Sequence, residues 1–156
     1  MKDKRIVFEI IDVIWVFIVA GIIIFSHKRV VCTNKTNQSS NGYVLETKYV
    51  IKTKFNKVKT INIIETITSK DKKVLKKFEK QFKDEYAYNS KIYGGYTYEV
   101  INNNGKVISN VTINYKKFDM YRFIDNNEAM KKYTKNNKLT LDGAKKMYES
   151  TGATCK

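Results

Sequence analysis

Apolar and polar positions alternate with a period of two along residues 43–55. Tyr43, Leu45, Thr47, Tyr49, Ile51, Thr53 and Phe55 fall on one side and Glu46, Lys48, Lys52 and Lys54 on the other. That is the signature of a half-buried strand. A short strand over 30–35 precedes it across the turn-forming run Asn37-Gln38-Ser39-Ser40-Asn41-Gly42, and an Asn56-Lys57 turn leads to a third strand over 58–68, where Ile61, Ile63 and Ile67 share a face. After Ser69, a candidate N-cap, the period lengthens to 3.6: Val74, Leu75, Phe78, Phe82 and Tyr86 line one side of an amphipathic helix whose other side is mostly lysine. Alternation resumes over 96–101 and 107–115, with Asn102-Asn103-Asn104-Gly105 supplying the positive-φ positions of a hairpin. Asp125 to Glu128 has the spacing of a capping box ahead of Ala129, Met130 and Tyr133, and a last helix starts after Thr140 and ends near Gly152. The order β-β-β-α-β-β-α-α predicts an α+β domain: an antiparallel sheet of about five strands with helices packed on one face.

The N-terminus follows a different pattern. From Ile6 through Trp15 to Phe25 only Glu9 and Asp12 interrupt an apolar run of 20 residues, the length of helix that crosses about 30 Å of hydrocarbon. Lys2, Lys4 and Arg5 also fit the basic start of a cleavable signal peptide, but Ser26-His27-Lys28-Arg29-Val30-Val31 offers no Ala-x-Ala-like site, and no small-residue lipobox precedes Cys32. The expectation is a retained signal anchor: residues 1–28 form a transmembrane helix with basic flanks, and residues 29–156 form the folded domain. Basic residues tie across the two ends of the span, so charge alone leaves orientation undecided. Glu9 and Asp12, one turn apart, suit the membrane boundary or a contact with a partner helix.

Composition adds a formal charge of +15 from 30 basic and 15 acidic residues. Arg occurs only at Arg5, Arg29 and Arg122, so the other 27 of the 30 basic residues are lysine. Asn, Ile and Tyr are abundant as well, so AT-rich codon usage can account for part of the excess. Specific readers of nucleic acid favour the bidentate guanidinium, and an Arg-poor surface points away from them. Non-specific attraction to anionic envelope polymers or lipid headgroups remains open.

Candidate chemistry is sparse. His27 is the only histidine, which argues against an ordinary zinc or iron site and against a Ser-His-Asp arrangement. Gly94-Gly95 lacks the spacing and the Lys-Ser/Thr pair of a phosphate loop, and Asp84-Glu85 lies on a helix where a solvated pair is the ordinary outcome. No cofactor, metal or catalytic residue is expected. Cys32 and Cys155 bracket the domain: in an oxidising compartment they can close one disulfide, and in a cytosolic domain they stay as two thiols.

The pattern Cys32-Thr33-Asn34-Lys35, a Lys/Thr-rich strand pair, the amphipathic helix and the ending Gly152-Ala153-Thr154-Cys155-Lys156 resembles a family of small lipoprotein-like proteins of low-GC Gram-positive bacteria, related to the YehR-like lipoproteins, over residues 31–156. The resemblance implies an α+β domain displayed outside the cytoplasmic membrane, and it assigns no catalytic residue. The chain departs from the lipoprotein members in carrying an apolar helix where they have a lipobox, which keeps a tether without pointing to lipid attachment. Three readings follow: a tethered extracytoplasmic binding or structural module, a cell-envelope enzyme acting on wall or lipid substrates, and a membrane-hung non-specific nucleic-acid binder. The first leads.

Overall fold

The structure, a computed structural model, describes residues 26–156. The expected transmembrane helix, with Ile6, Trp15, Phe25, Glu9 and Asp12, lies outside the described residues. Among the described residues no helix is long and apolar enough to cross a membrane.

The chain runs β1 (His27–Gln38), β2 (Tyr43–Lys54), β3 (Lys57–Ser69), α1 (Lys72–Tyr93), β4 (Tyr96–Asn103), β5 (Lys106–Asn114), α2 (Met120–Asn126), a 3-10 turn (Glu128–Tyr133), β6 (Thr134–Lys135), β7 (Lys138–Leu139), α3 (Leu141–Glu149) and β8 (Thr154–Cys155). Six of the strands form one antiparallel sheet in the order β4-β5-β3-β2-β1-β8, and β6 and β7 pair separately. The architecture is therefore α+β, with one strand more in the sheet than the expected five. The extra strand is β8, two residues long, too short for any periodicity to register.

Register places Ile51 beside Ile61 and Ile61 beside Ile113, with Leu45, Ile67 and Val107 in the same alignment three rows on. These residues share the face that the helices cover. Over β3 and β5, α1 lays Leu75, Phe82, Tyr86 and Tyr93 against Ile67, Val107, Val111 and Ile113. Over β1, β2 and β3, α3 lays Leu141, Ala144 and Tyr148 against Cys32, Ile51 and Ile61. Ile63, Tyr115 and Met120 touch both clusters and join them into one core. Val58 reaches that core out of parity, because a register shift opposite Lys52 and Thr53 leaves Lys59 as an extra residue in β3.

Several local expectations are corrected. The first strand is twelve residues rather than six, since its polar ends hydrogen-bond along the full length of β2. The β2–β3 turn is Phe55-Asn56, both at positive φ (50° and 59°), as a two-residue hairpin requires. Phe55 consequently leaves the apolar face and is 61% exposed. Asp71, not Ser69, caps α1 by accepting from the Lys73 N–H at 2.7 Å. Ser69 instead donates to the Gly42 carbonyl at 2.6 Å and accepts from the Asp71 N–H, tying two loops together. Asp125 to Glu128 makes no capping box: α2 has already begun under an Asp119 cap, and the Asn127 side chain does not cap the 3-10 turn but donates back to the Phe123 carbonyl at 3.0 Å. Aromatic packing is the reason, because Phe118 and Phe123 close on each other and on Tyr93 and pull the helix start forward.

Candidate functional site

Two features outside the apolar core carry chemistry. The first is a polar cluster under α1. Glu65 points from β3 into the covered face of the sheet, where Tyr86 of α1 donates its hydroxyl to the carboxylate and Ser109 of β5 donates to the same oxygen at 3.0 Å. Burial and the adjacent Glu65 charge hold the Tyr86 phenol well above its ordinary range. Tyr49 is raised in the same way, by burial first and Glu65 second, and its ring stacks on Tyr148 at 3.8 Å between centroids. Loss of solvent around Glu85, followed by repulsion from Glu65, raises the Glu85 carboxyl. No side-chain N or O buried among the described residues lacks a hydrogen-bond partner. The cluster is satisfied and closed, and its chemistry is that of a structural tie between helix and sheet.

The second feature lies at the end of the domain where β1 begins. His27 of β1 pairs with Lys54 of β2, so the chain enters the fold beside the Phe55-Asn56 turn, and the Phe55 N–H donates to the Ser26 carbonyl at 2.8 Å. The start of α3 is pinned to the same turn: the Leu141 N–H donates to the Asn56 carbonyl at 3.1 Å, and Lys57 bridges to Thr140. The β6–β7 hairpin reaches this end on its own tight turn, with Asn136 and Asn137 at φ 51° and 53°.

Two concavities meet here. One, of about 270 Å³, is lined by Lys57, Lys59, Lys116 and Lys138 together with Tyr115 and Met120. The other, of about 260 Å³, is lined by Phe55, Lys57, Lys135, Lys138 and Thr140. Lys57 and Lys138 belong to both, and no carboxylate lines either. None of the five lysines is within ion-pair distance of an acid among the described residues. Five like charges around a shared recess make a local positive field that draws anions.

The lysine face of α1, the more obvious basic stripe in the sequence, is different in kind. Lys83 pairs with Glu79 at 2.6 Å, Asn102 donates to the other Glu79 oxygen at 2.8 Å, and the Lys83 ammonium holds the Glu79 carboxyl below its usual range. Asp84 adds a further acid, so that face is mixed and solvated. Sequence reasoning missed the lysine pole because its members come from β3, β6, β7 and the segment between β5 and α2. The legible signal was Thr134-Lys135-Asn136-Asn137-Lys138-Leu139, a hairpin flanked by lysines.

Cys32 and Cys155 stand side by side on β1 and β8 with their sulfurs 1.97 Å apart, at disulfide distance. Val31 and Lys156 exchange both backbone bonds, at 3.0 and 2.9 Å, which makes Cys32 and Cys155 a non-hydrogen-bonded pair, the kind whose side chains come closest. Asp84 and Glu85 remain on the helix as expected. Gly94-Gly95 is a turn: both have positive φ, and a Cβ on Gly95 would meet the Asn114 carbonyl oxygen at 2.7 Å.

No protein-family model and no curated protein matches the sequence. Among solved structures the chain is similar to the NMR structure of the E. coli YehR protein, with a TM-score of 0.54 and 16% identity over 82% of this chain and 91% of that one. An NMR structure of a protein from Streptococcus pneumoniae TIGR4 aligns with a TM-score of 0.46 and 14% identity, over 83% and 86% of the two chains. The likeness to YehR is one of fold. It bears out the YehR-like architecture and does not extend to membership of a lipoprotein family.

Proposed function

We propose that the protein is a membrane-tethered, extracytoplasmic binding module whose folded domain takes anionic ligands at the lysine pole, the ligands being anionic envelope polymers or lipid headgroups. The observation that carries this reading is the pair of adjoining concavities lined by Lys57, Lys59, Lys116, Lys135 and Lys138 with no acid among their linings. The tether rests on the apolar run ending at Phe25. The side of the membrane is supported by the Cys32–Cys155 pair, since such bonds persist in oxidising compartments and are rare in the cytosol. YehR-like architecture fits a displayed domain and lends no activity.

The test is a titration of the full-length protein, held in neutral detergent, with polyphosphate at low and physiological salt. Binding is expected to weaken steeply with salt, as counterion-driven binding does. Lys57→Glu with Lys138→Glu is expected to weaken it at least tenfold, whereas Lys77→Glu on the mixed face of α1 is expected to change it less than twofold. Equal losses from the two faces would remove the pole as the site.

A further inference from the structure

We propose that the lysine pole docks flat on the anionic headgroups of the same bilayer that holds the tether, with Phe55 seated at the headgroup level. This deepens the reading above and rests on it, since it names lipid as the occupant of the anion site. The argument begins with connectivity. Phe25 ends the apolar run of 20 residues, and Ser26, the next residue, accepts the backbone hydrogen bond of Phe55 at 2.8 Å. No linker separates the end of the expected span from the tip of the β2–β3 turn. One residue of chain reaches less than about 4 Å. A span that ends at the membrane surface therefore holds this turn there as well.

The residues at the turn suit that position. Phe55 is 61% exposed, an apolar ring held out from the core by a backbone at φ 50°. Lys54 stands over the ring, its ammonium 5.6 Å from the centroid. Exposed aromatic rings flanked by lysine are what the boundary between hydrocarbon and headgroups favours, the ring entering the boundary and the ammonium groups meeting phosphate. Lys57 and Lys138 line both concavities behind the turn, so the ring and the basic recess share one end of the domain. The lysine face of α1 differs in holding the acids Glu79 and Asp84 among its lysines, and it lies away from the point where the chain enters the fold. A soluble polyanion satisfies the lysines but leaves Phe55 without a role, and this favours the lipid surface.

The full chain carries one tryptophan, Trp15, which allows a single-reporter experiment. Full-length protein with Trp15→Phe and Phe55→Trp is reconstituted into nanodiscs of phosphatidylcholine, alone or mixed with phosphatidylglycerol, with and without brominated acyl chains. With phosphatidylglycerol present, the reporter at position 55 is expected to shift to the blue and to be quenched by the brominated chains. Both effects should be reversed by high salt and by Lys57→Glu with Lys138→Glu. Lys57→Gln with Lys138→Gln serves in the same way should the charge reversals unfold the domain, and a thermal melt of each variant decides which pair is read. A reporter that stays solvent-like in anionic discs, while the protein still binds polyphosphate, overturns the docking and leaves the anion site standing. Loss of polyphosphate binding as well would remove both.

Discussion

Glu65 is the residue where the fold departs furthest from a simple apolar core. A carboxylate on the covered face of the sheet is tolerable only if its lone pairs are met, and Tyr86 and Ser109 meet them on one oxygen. The two hydroxyls are not equivalent. Ser109 is wholly buried beside Glu65 in the sheet, whereas Tyr86 crosses from α1 and also packs on Phe82 and Tyr98. Tyr86→Phe keeps the ring and deletes the donor, so the packing is unchanged and the carboxylate loses one partner. The expected cost is about 1–3 kcal/mol in urea unfolding, the range for a buried polar group deprived of its bond. Combining it with Glu65→Gln should recover part of that loss, because a neutral amide needs the phenol less. Strict additivity of the two would mean that they do not act on each other.

At the scale of elements, close approach rather than propensity decides the C-terminal part. Gly143 lies in the first turn of α3, where the cap Thr140 accepts from its N–H at 3.1 Å, and a Cβ there would fall 1.9 Å from the Tyr133 carbonyl oxygen. The 3-10 turn is pressed against the helix backbone at that point. Gly143→Ala, which raises intrinsic helix propensity, is therefore expected to destabilise the domain by about 3 kcal/mol through overpacking, measurable as a drop in denaturation midpoint. An unchanged midpoint would show that the turn yields freely. The same contrast explains what could be read beforehand. Strands β2 and β5 and helix α1 were legible, because long runs with a period of 2 or 3.6 bury one face whatever lies around them. Lys59 was not, since a bulge shows no local mark until β2 and β5 are in place on either side of it. Neither were β8 and the start of α2: two residues hold a strand only because Cys32 and Thr33 lie opposite, and Phe118 and Phe123 find Tyr93 only in the folded chain. The lysine pole failed to show for the same reason, being assembled from segments that are distant in sequence.

Over the whole molecule, two properties follow from the shared core. The first is a pH limit. Burial raises the phenols of Tyr49, Tyr86, Tyr115 and Tyr148 above their ordinary value of 10.0 and pushes Tyr96 to about 12. The folded state thus keeps protons that the unfolded chain releases near pH 10, so stability is fully present below that value and falls as pH rises beyond it. Absorbance at the phenolate band is expected to show these five tyrosines ionising together with unfolding; smooth ionisation in a domain that stays folded would contradict their burial. The second is the clasp. Cys32 and Cys155 are 123 residues apart and join the first strand to the last, so a bond between them restricts nearly the whole unfolded domain. The chain-entropy estimate for a loop of that size is roughly 5 kcal/mol. Cys32 is itself wholly buried against Ile51, Ala144 and Tyr148, so the clasp also seats α3 on the sheet. Cys32→Ala with Cys155→Ala, which keeps the site apolar, is expected to lower the melting temperature by about 15 °C. Hydrogen exchange at Val31 and Lys156, whose paired backbone bonds hold β8 to β1, should rise before exchange in β3 or β5. A melting temperature that is the same with and without reductant, in a protein whose thiols are freely alkylated as isolated, would mean that the cysteines are neighbours without being bonded, and the support they lend to an extracytoplasmic domain would be gone.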